Sequence, residues 1–460
     1  MSLFPLTSEI FSTSFQDPDL KDIFSDEHFI AKMLYVESQL AHVQAKLAII
    51  PMEAAEAIQD SLAQVKIDII KLSEQTDRDG VPVSELVKQL RGQLPKEAAS
   101  YLHWGATTQD IMDTALVLQL REALRLFEAK LKKLMGELSA LTEKHRHSLM
   151  AGRSHSQQAL PITFGFKVAN WLMPLLRHVE RLEELKKRLF TLQFGGAVGT
   201  LASLADKGLE VHEALARTLD LHASVIAWHT QRDNLVEVAT WAGMVSGSLA
   251  KMAQDIILLA QNEVGELRES GDLGRGGSST MPQKSNPIQS EIILAAARHN
   301  ASLIASMHHA LIQEHERATH GWQLEWLNLP QILMFSMVAL NKALFLSQNL
   351  QVNEAQMLAN LKASQGLMMA EALEFALSQK SSRSEAKNLV KTAVLALNQK
   401  PHMHLIDELK SKLGSEYQYL DLDRYYDESH YLGVTQKWID RVLNISTMYT
   451  LGNQLNEVNL

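Results

Sequence analysis

From Leu116 onward the apolar residues Leu120, Leu124, Phe127, Leu131, Leu134, Leu138 and Leu141 recur at steps of three and four. That spacing puts them on one stripe of a helix and predicts a long rod packed lengthwise on others. A second helical stretch, "FKVANWLMPLLRHVERLEELKKRLFTL", follows Pro161 and should kink at Pro174, where the chain lacks an N–H. A third, "NLVEVATWAGMVSGSLAKMAQDIILLAQNEVGE", carries Ala239, Gly243 and Gly247 four apart, which lets a neighbouring backbone come close. A fourth opens just after Pro287 and runs "IQSEIILAAARHNASLIASMHHALIQEHE" without Gly or Pro, and a fifth continues after "HGWQLEWLNLP" to Asn349.

No Val/Ile/Thr-rich alternation bounded by turn dipeptides competes with these rods, so the predicted fold class is all-α. Residues 1–105 hold shorter helical pieces broken near Pro51, Gly80, Pro82 and Pro95, and residues 352–460 are again shorter and more polar. The expected organisation is an N-terminal helical domain over 1–105, a central long-helix bundle over 106–351 and a C-terminal helical domain over 352–460. Rods this long and apolar cannot all be covered inside one monomer, which predicts an oligomer.

Composition narrows the class. The 460 residues are 46% hydrophobic and 21% charged, as in a folded globular protein. The absence of cysteine removes disulfides, thiolate nucleophiles and Cys-ligated metals. A net charge of -9 argues against a nucleic-acid surface. The N-terminal "MSLFPLTSEIFSTSFQDPDL" lacks a basic start followed by an apolar core, and the longest apolar run, "ILMFSMVAL", is too short to cross a bilayer. The expectation is a soluble, cytoplasmic protein with neither nucleic acid nor membrane as partner.

Chemistry is expected where the rods are interrupted, because helix ends expose N–H groups that suit anions. The first interruption is "HWGATTQD", where Thr107 and Asp110 fit a capping box; alone, that pair marks only a helix start. The second, "GRSHSQQALP", packs Ser154 and His155 just before a helix, and a lone histidine there is more often a capping or surface residue. The third, "GDLGRGGSSTMPQKSNP", crowds glycines around Ser278, Ser279, Lys284 and Asn286; by composition alone it reads as a linker. Gly274, Gly276 and Gly277 follow no strand and precede no Gly-Lys-Ser/Thr, so nucleotide motifs fail. No "GxSxG" elbow or zinc-spaced histidine pair occurs, and the chemistry expected is free of metal and cofactor.

Taken together these residues resemble the fumarase/aspartase superfamily, which includes argininosuccinate and adenylosuccinate lyases. "GSSTMPQKSNP" matches all eight fixed positions of the superfamily loop "GSSxMPxKxNP". "HWGATTQDIMDT" and "GRSHSQQALPITFG" resemble its first and second signature regions, in the same order. "LQFGGAVGTLASL", "WHTQRDNLVE", "QEHERATHGWQLEW" and "HYLG" are similar to the branch that cyclises 3-carboxy-cis,cis-muconate in protocatechuate breakdown. The resemblance implies a central helical bundle, a homotetramer whose active sites are shared between subunits, and a small tricarboxylate substrate.

It also implies roles. Ser279 exchanges a proton with carbon, its oxygen stabilised by loop N–H groups and Lys284, and Ser278 beside it binds substrate. Lys284 and Asn286 hold carboxylates, aided by the helix start at Pro287. Thr107 and Thr108 offer hydroxyls and helix-terminal N–H groups beside His103. Ser154 and His155 stand where lyase relatives carry a Thr-His pair, and Gln231, Arg232 and Arg317 complete the substrate contacts. Two alternatives stand beside the cycloisomerase: an adenylosuccinate lyase-like elimination enzyme, and a non-catalytic helical structural protein.

Overall fold

A computed structural model describes residues 5–269, 276–277, 280–281, 284–400 and 402–451. The elements that position the candidate residues are α1 (Asp26–Lys46), α2 (Thr108–Lys144), β1 (Leu149–Ser154), β2 (Gln157–Thr163), α3 (Phe164–Leu189), α4 (Asp233–Leu259), β3 (Leu267–Glu269), α5 (Ile288–Ala310), α6 (Gly321–Asn349) and β4 (Leu350–Val352). Among the described residues helix dominates, and the strands form two antiparallel pairs, β1 with β2 and β3 with β4. The β1–β2 hairpin is not legible as strands in the sequence. β1 reads "LMAGRS" and β2 "QQALPIT", too short and too mixed to show a period of two.

The described residues fall into two compact units. One is drawn from 1–130, 178–247 and 295–339. Its core contains Leu120, Leu124 and Phe127 from the stripe on α2, all fully buried. Phe127 meets Trp241 of α4 edge to face at 5.5 Å, and the Trp241 indole donates to the His178 carbonyl of α3 at 2.9 Å. Asn300 of α5 donates to Ser336 Oγ on α6 at 2.9 Å, and Ser336 donates to the Ala242 carbonyl at 2.9 Å. These polar links fix helix register inside an otherwise apolar core. A Cβ on Gly243 would lie 2.0 Å from Ile304 Cδ1, so the small residue admits a side chain rather than a backbone, while nothing crowds Gly247.

The other unit is drawn from 131–177, 248–294 and 340–460. It continues the α2 stripe through Leu131, Leu134 and Leu138. On α3, Phe164 and Trp171 meet edge to face at 5.8 Å, and the Trp171 indole donates to Asp255 on α4 at 2.7 Å. Leu373, Leu377, Ala386, Leu405 and Leu409 anchor a separate apolar cluster near the C-terminal end.

α3 runs through Pro174 as one helix, and α6 begins well before Pro330 and includes it. By length and composition α6 could cross a membrane, but 67% of its most apolar window is buried inside the protein, as in a core helix.

Candidate active site

In the first unit, the sequence motifs meet at the start of α2. Asp110 reaches back to accept from the Thr107 N–H at 3.0 Å, which is one half of a capping box. The Thr107 hydroxyl does not close the other half; it accepts from Arg317 Nη1 at 3.0 Å. Asp110, with no exposed surface, also accepts from the N–H groups of Gly195 and Gly196 at 2.9 Å each and pairs with His229 Nε2 at 2.8 Å. One carboxylate therefore collects donors from three separate stretches of chain. Glycine is required at the first of these contacts, since a Cβ on Gly195 would lie 2.5 Å from the Ala227 Cβ. Gly196 has φ +69°, a conformation that favours glycine. Gln193 braces the same turn: its carbonyl accepts from Thr114 Oγ1 at 2.8 Å and its side-chain oxygen accepts from the Trp228 N–H at 2.8 Å.

Arg232 lies one turn deeper. Its guanidinium donates to Asp113 at 2.6 and 3.0 Å and to Glu325 at 2.8 and 2.6 Å, and it lies 4.9 Å from the Trp228 ring centroid. Trp322 Nε1 and Gln109 Nε2 supply further donors to Asp113. Burial opposes the charge on Arg232, but the two carboxylates outweigh it and hold the group protonated. Expected as a substrate cation, Arg232 is 1% exposed with its fork occupied by two acids. A cation so placed organises the scaffold rather than exchanging a ligand.

The groups left facing outward are different. Arg317 and His103 are partly exposed, as are Thr107 and Thr108, while Gln231 is exposed. Burial and then the attraction of Asp110 and Asp113 act on Arg317 in opposite senses; burial prevails, but an arginine this basic remains charged. His103 Nδ1 contacts Glu37 Oε1 of α1 at 2.5 Å. Burial would strip a proton from His103, but Glu37 and then Asp110 more than restore it, so the imidazole is held above its ordinary range. Threonine hydroxyls, a guanidinium and an imidazole biased toward its charged form make a floor suited to carboxylates.

The second unit holds the other motifs. Ser154 pairs with Gln157 across a two-residue turn whose central residues, His155 and Ser156, have φ +48° and +62°. A right-twisted hairpin demands these positive angles and ordinarily recruits Asn-Gly, so a histidine here is held in strained backbone. Ser154, His155 and Ser156 are all exposed. Behind the turn, Arg153 binds the fully buried Glu266 through two bonds of 2.9 and 2.7 Å.

The ends of the Gly-rich loop are pinned together: Gly277 bridges to Ser285, and the Asn286 N–H donates to the Gly276 carbonyl at 2.8 Å. Gly276 has φ +73°, and a Cβ there would sit 2.6 Å from the Asn286 oxygen. Lys284 is exposed and Asn286 partly so. Ser278 and Ser279 lie outside the described residues. The helix start at Pro287, expected to aid an anion, already has one: Glu269 accepts from the N–H groups of Gln289 and Ser290 at 3.0 and 2.9 Å. That carboxylate satisfies the positive end of α5 internally.

Glu37, Asp113, Glu325 and Glu269 were not singled out from sequence. Each acts on a partner distant in the chain, and only the Thr107–Asp110 spacing gave a local signal.

A family model described as lyase matches residues 13–299. The trans-aconitate decarboxylase 1 of Mycosarcoma maydis is 42% identical, covering 95% of this chain and 88% of that protein. A 3-carboxy-cis,cis-muconate cycloisomerase of Pseudomonas aeruginosa is 39% identical over 95% of this chain and 96% of its own. The crystal structure of 3-carboxy-cis,cis-muconate lactonizing enzyme from Pseudomonas putida matches with a TM-score of 0.90 at 39% identity, covering 96% of this chain and 100% of that one.

Proposed function

The chain belongs to the lyase family of the fumarase/aspartase superfamily, and we propose that it is a cycloisomerase that closes 3-carboxy-cis,cis-muconate to carboxymuconolactone. The observation that carries this reading is the convergence in the first unit. Branch-like stretches around Gly195, His229 and Arg317 all meet the start of α2, through Asp110 and Thr107. A floor assembled from these stretches suits a compact polyanion.

In the reaction, one substrate carboxylate oxygen forms a C–O bond to a double-bond carbon. The displaced electron pair moves to the adjacent carbon and into its carboxylate, and a proton delivered to that carbon completes the lactone, so the trianion takes up one proton and leaves as a dianion. The demanding moment is the doubly charged aci-carboxylate, which prearranged donors stabilise. Thr107, Thr108, His103, Arg317, Gln231, Ser278, Lys284 and Asn286 bind the carboxylates in this scheme, and Ser279, supported by Lys284, transfers the proton. His155 orients or neutralises substrate, because a departing or attacking carboxylate needs no proton from it. Arg232 keeps Asp113 and Glu325 in place. The working unit is a cytoplasmic homotetramer with active sites shared between subunits; exposed apolar residues on the long helices, Met244, Leu258 and Leu327, support assembly.

The 42% identity to a trans-aconitate decarboxylase favours a second reading, loss of carbon dioxide from an unsaturated tricarboxylate on the same floor. The test is a substrate panel. The muconate's ultraviolet absorbance should decay with enzyme, with no carbon dioxide released from trans-aconitate and no cleavage of adenylosuccinate. Faster decarboxylation than cyclisation replaces the first reading with the second.

A further inference from the structure

We propose that Glu37 is a positioning residue that holds His103 as a fixed cation at the carboxylate floor formed by Thr107, Thr108 and Arg317. The proposal rests on the reading of that floor as a carboxylate site. Glu37 lies on α1, far in sequence from every motif, and is 1% exposed. Its Oε1 contacts His103 Nδ1 at 2.5 Å, and its Oε2 is buried without a hydrogen-bond partner among the described residues. A buried carboxylate so sparsely satisfied is unfavourable on its own account. The contact it makes is with a residue that is also unfavourably placed: His103 has φ +63°, a left-handed conformation that disfavours any side chain. Strain of this kind persists where the surroundings over-determine it, and it concentrates at functional positions.

The geometry gives the pair a direction. With Nδ1 turned to Glu37, Nε2 is the ring nitrogen left for a substrate oxygen, and the side chain is 17% exposed. Three elements carry charges that act on the ring: Glu37 on α1, Asp110 in the first turn of α2, and Arg91 on the helix Val83–Gln93. Arg91 directs its Nη2 to the Leu102 carbonyl at 3.0 Å. Asp110 is occupied by donors from Thr107, Gly195, Gly196 and His229. Among the described residues Glu37 is the carboxylate hydrogen-bonded to the imidazole, so its removal changes the charge of the ring, whereas a neutral acceptor in its place preserves only the hydrogen bond.

Glu37→Gln separates these two roles. Affinity for tricarballylate, an inert tricarboxylate, is measured by calorimetry at acidic and mildly alkaline pH on the intact oligomer. At the higher pH the variant should bind about tenfold more weakly than wild type, the scale of one charge-assisted contact. On acidification, which protonates His103 without help from Glu37, the two should converge. Where turnover is measurable, KM should follow the same pattern while kcat changes less. A loss of affinity that acid does not repair, or no loss at all, overturns the proposal. If wild type binds no tricarboxylate, the floor reading fails by itself, and Glu37 is then judged by the His103 titration in histidine-labelled, unliganded protein. That titration should move to lower pH in Glu37→Gln, and an unmoved curve overturns the assignment. If Glu37→Gln does not fold, wild type still decides, since a His103 that titrates at or below an ordinary imidazole contradicts a fixed cation.

Discussion

The two sets of signature residues are built in opposite ways. At the start of α2 in the first unit, charge is buried and fully answered: Asp110 serves four donors, and Arg232 is locked between Asp113 and Glu325. In the second unit, Ser154 and His155 project from an exposed turn, Lys284 is exposed, and the roots of the Gly-rich loop are tied to each other. The contrast teaches that the motifs rest on different supports. One group stands on a buried framework of paired charges; the other includes an exposed hairpin turn with strained backbone, and the proposed division between anion binding and proton transfer follows that line.

Removing the hub should give the largest effect. Asp110→Ala leaves the N–H groups of Thr107, Gly195 and Gly196 and the imidazole of His229 without their acceptor. A loss of about 3 kcal/mol is expected, read as a lowered denaturant midpoint. An unchanged midpoint would dissolve the distinction between scaffold and reactive segments. Ser279→Ala should do the reverse, lowering turnover by about 10² or more while circular dichroism and oligomer size stay as in wild type. Retention of most of the activity would remove Ser279 from the proton-transfer role.

Next in size is Arg317→Gln, which deletes the charge that meets the Thr107 hydroxyl. KM should rise by one to two orders of magnitude, roughly 1.5–3 kcal/mol for a hydrogen bond to a charged group, with a smaller change in kcat. A change confined to kcat would move Arg317 from binding to chemistry. The smallest effect is expected at the hairpin, where Ser156→Gly relieves φ +62° and should stabilise the protein by up to about 1 kcal/mol. Destabilisation measured by thermal unfolding would mean that the turn is held by contacts of the serine side chain.

Much of the architecture could be read from the chain because its determinants are local. The stripe from Leu120 to Leu141 marks one buried face, Gly80 ends a helix with φ +75°, and the Thr107–Asp110 spacing marks the start of α2. The site was legible only as a set of motifs. Spacing cannot reveal that Asp113 and Glu325 would enclose Arg232, because they lie 119 and 93 residues from it. The same separation hid Glu37, 66 residues from His103. The hairpin at His155 was missed for a different reason: its turn lacks the Asn-Gly or Asp-Gly pair that announces such a bend, and the backbone strain has no counterpart in composition.

The enclosure of Arg232 has a consequence for how the protein responds to dissolved electrolyte. Mobile ions screen charges they can approach, over a Debye length of about 10 Å at 0.1 M, and Arg232, Asp113 and Glu325 present almost no surface to them. Raising the ionic strength should therefore leave this internal framework as firm as before, while attraction between the proposed polyanionic substrate and the more accessible Lys284 and Arg317 fades. Capture of substrate and cohesion of the fold are thereby uncoupled: in brine, the enzyme should lose its appetite well before it loses its shape.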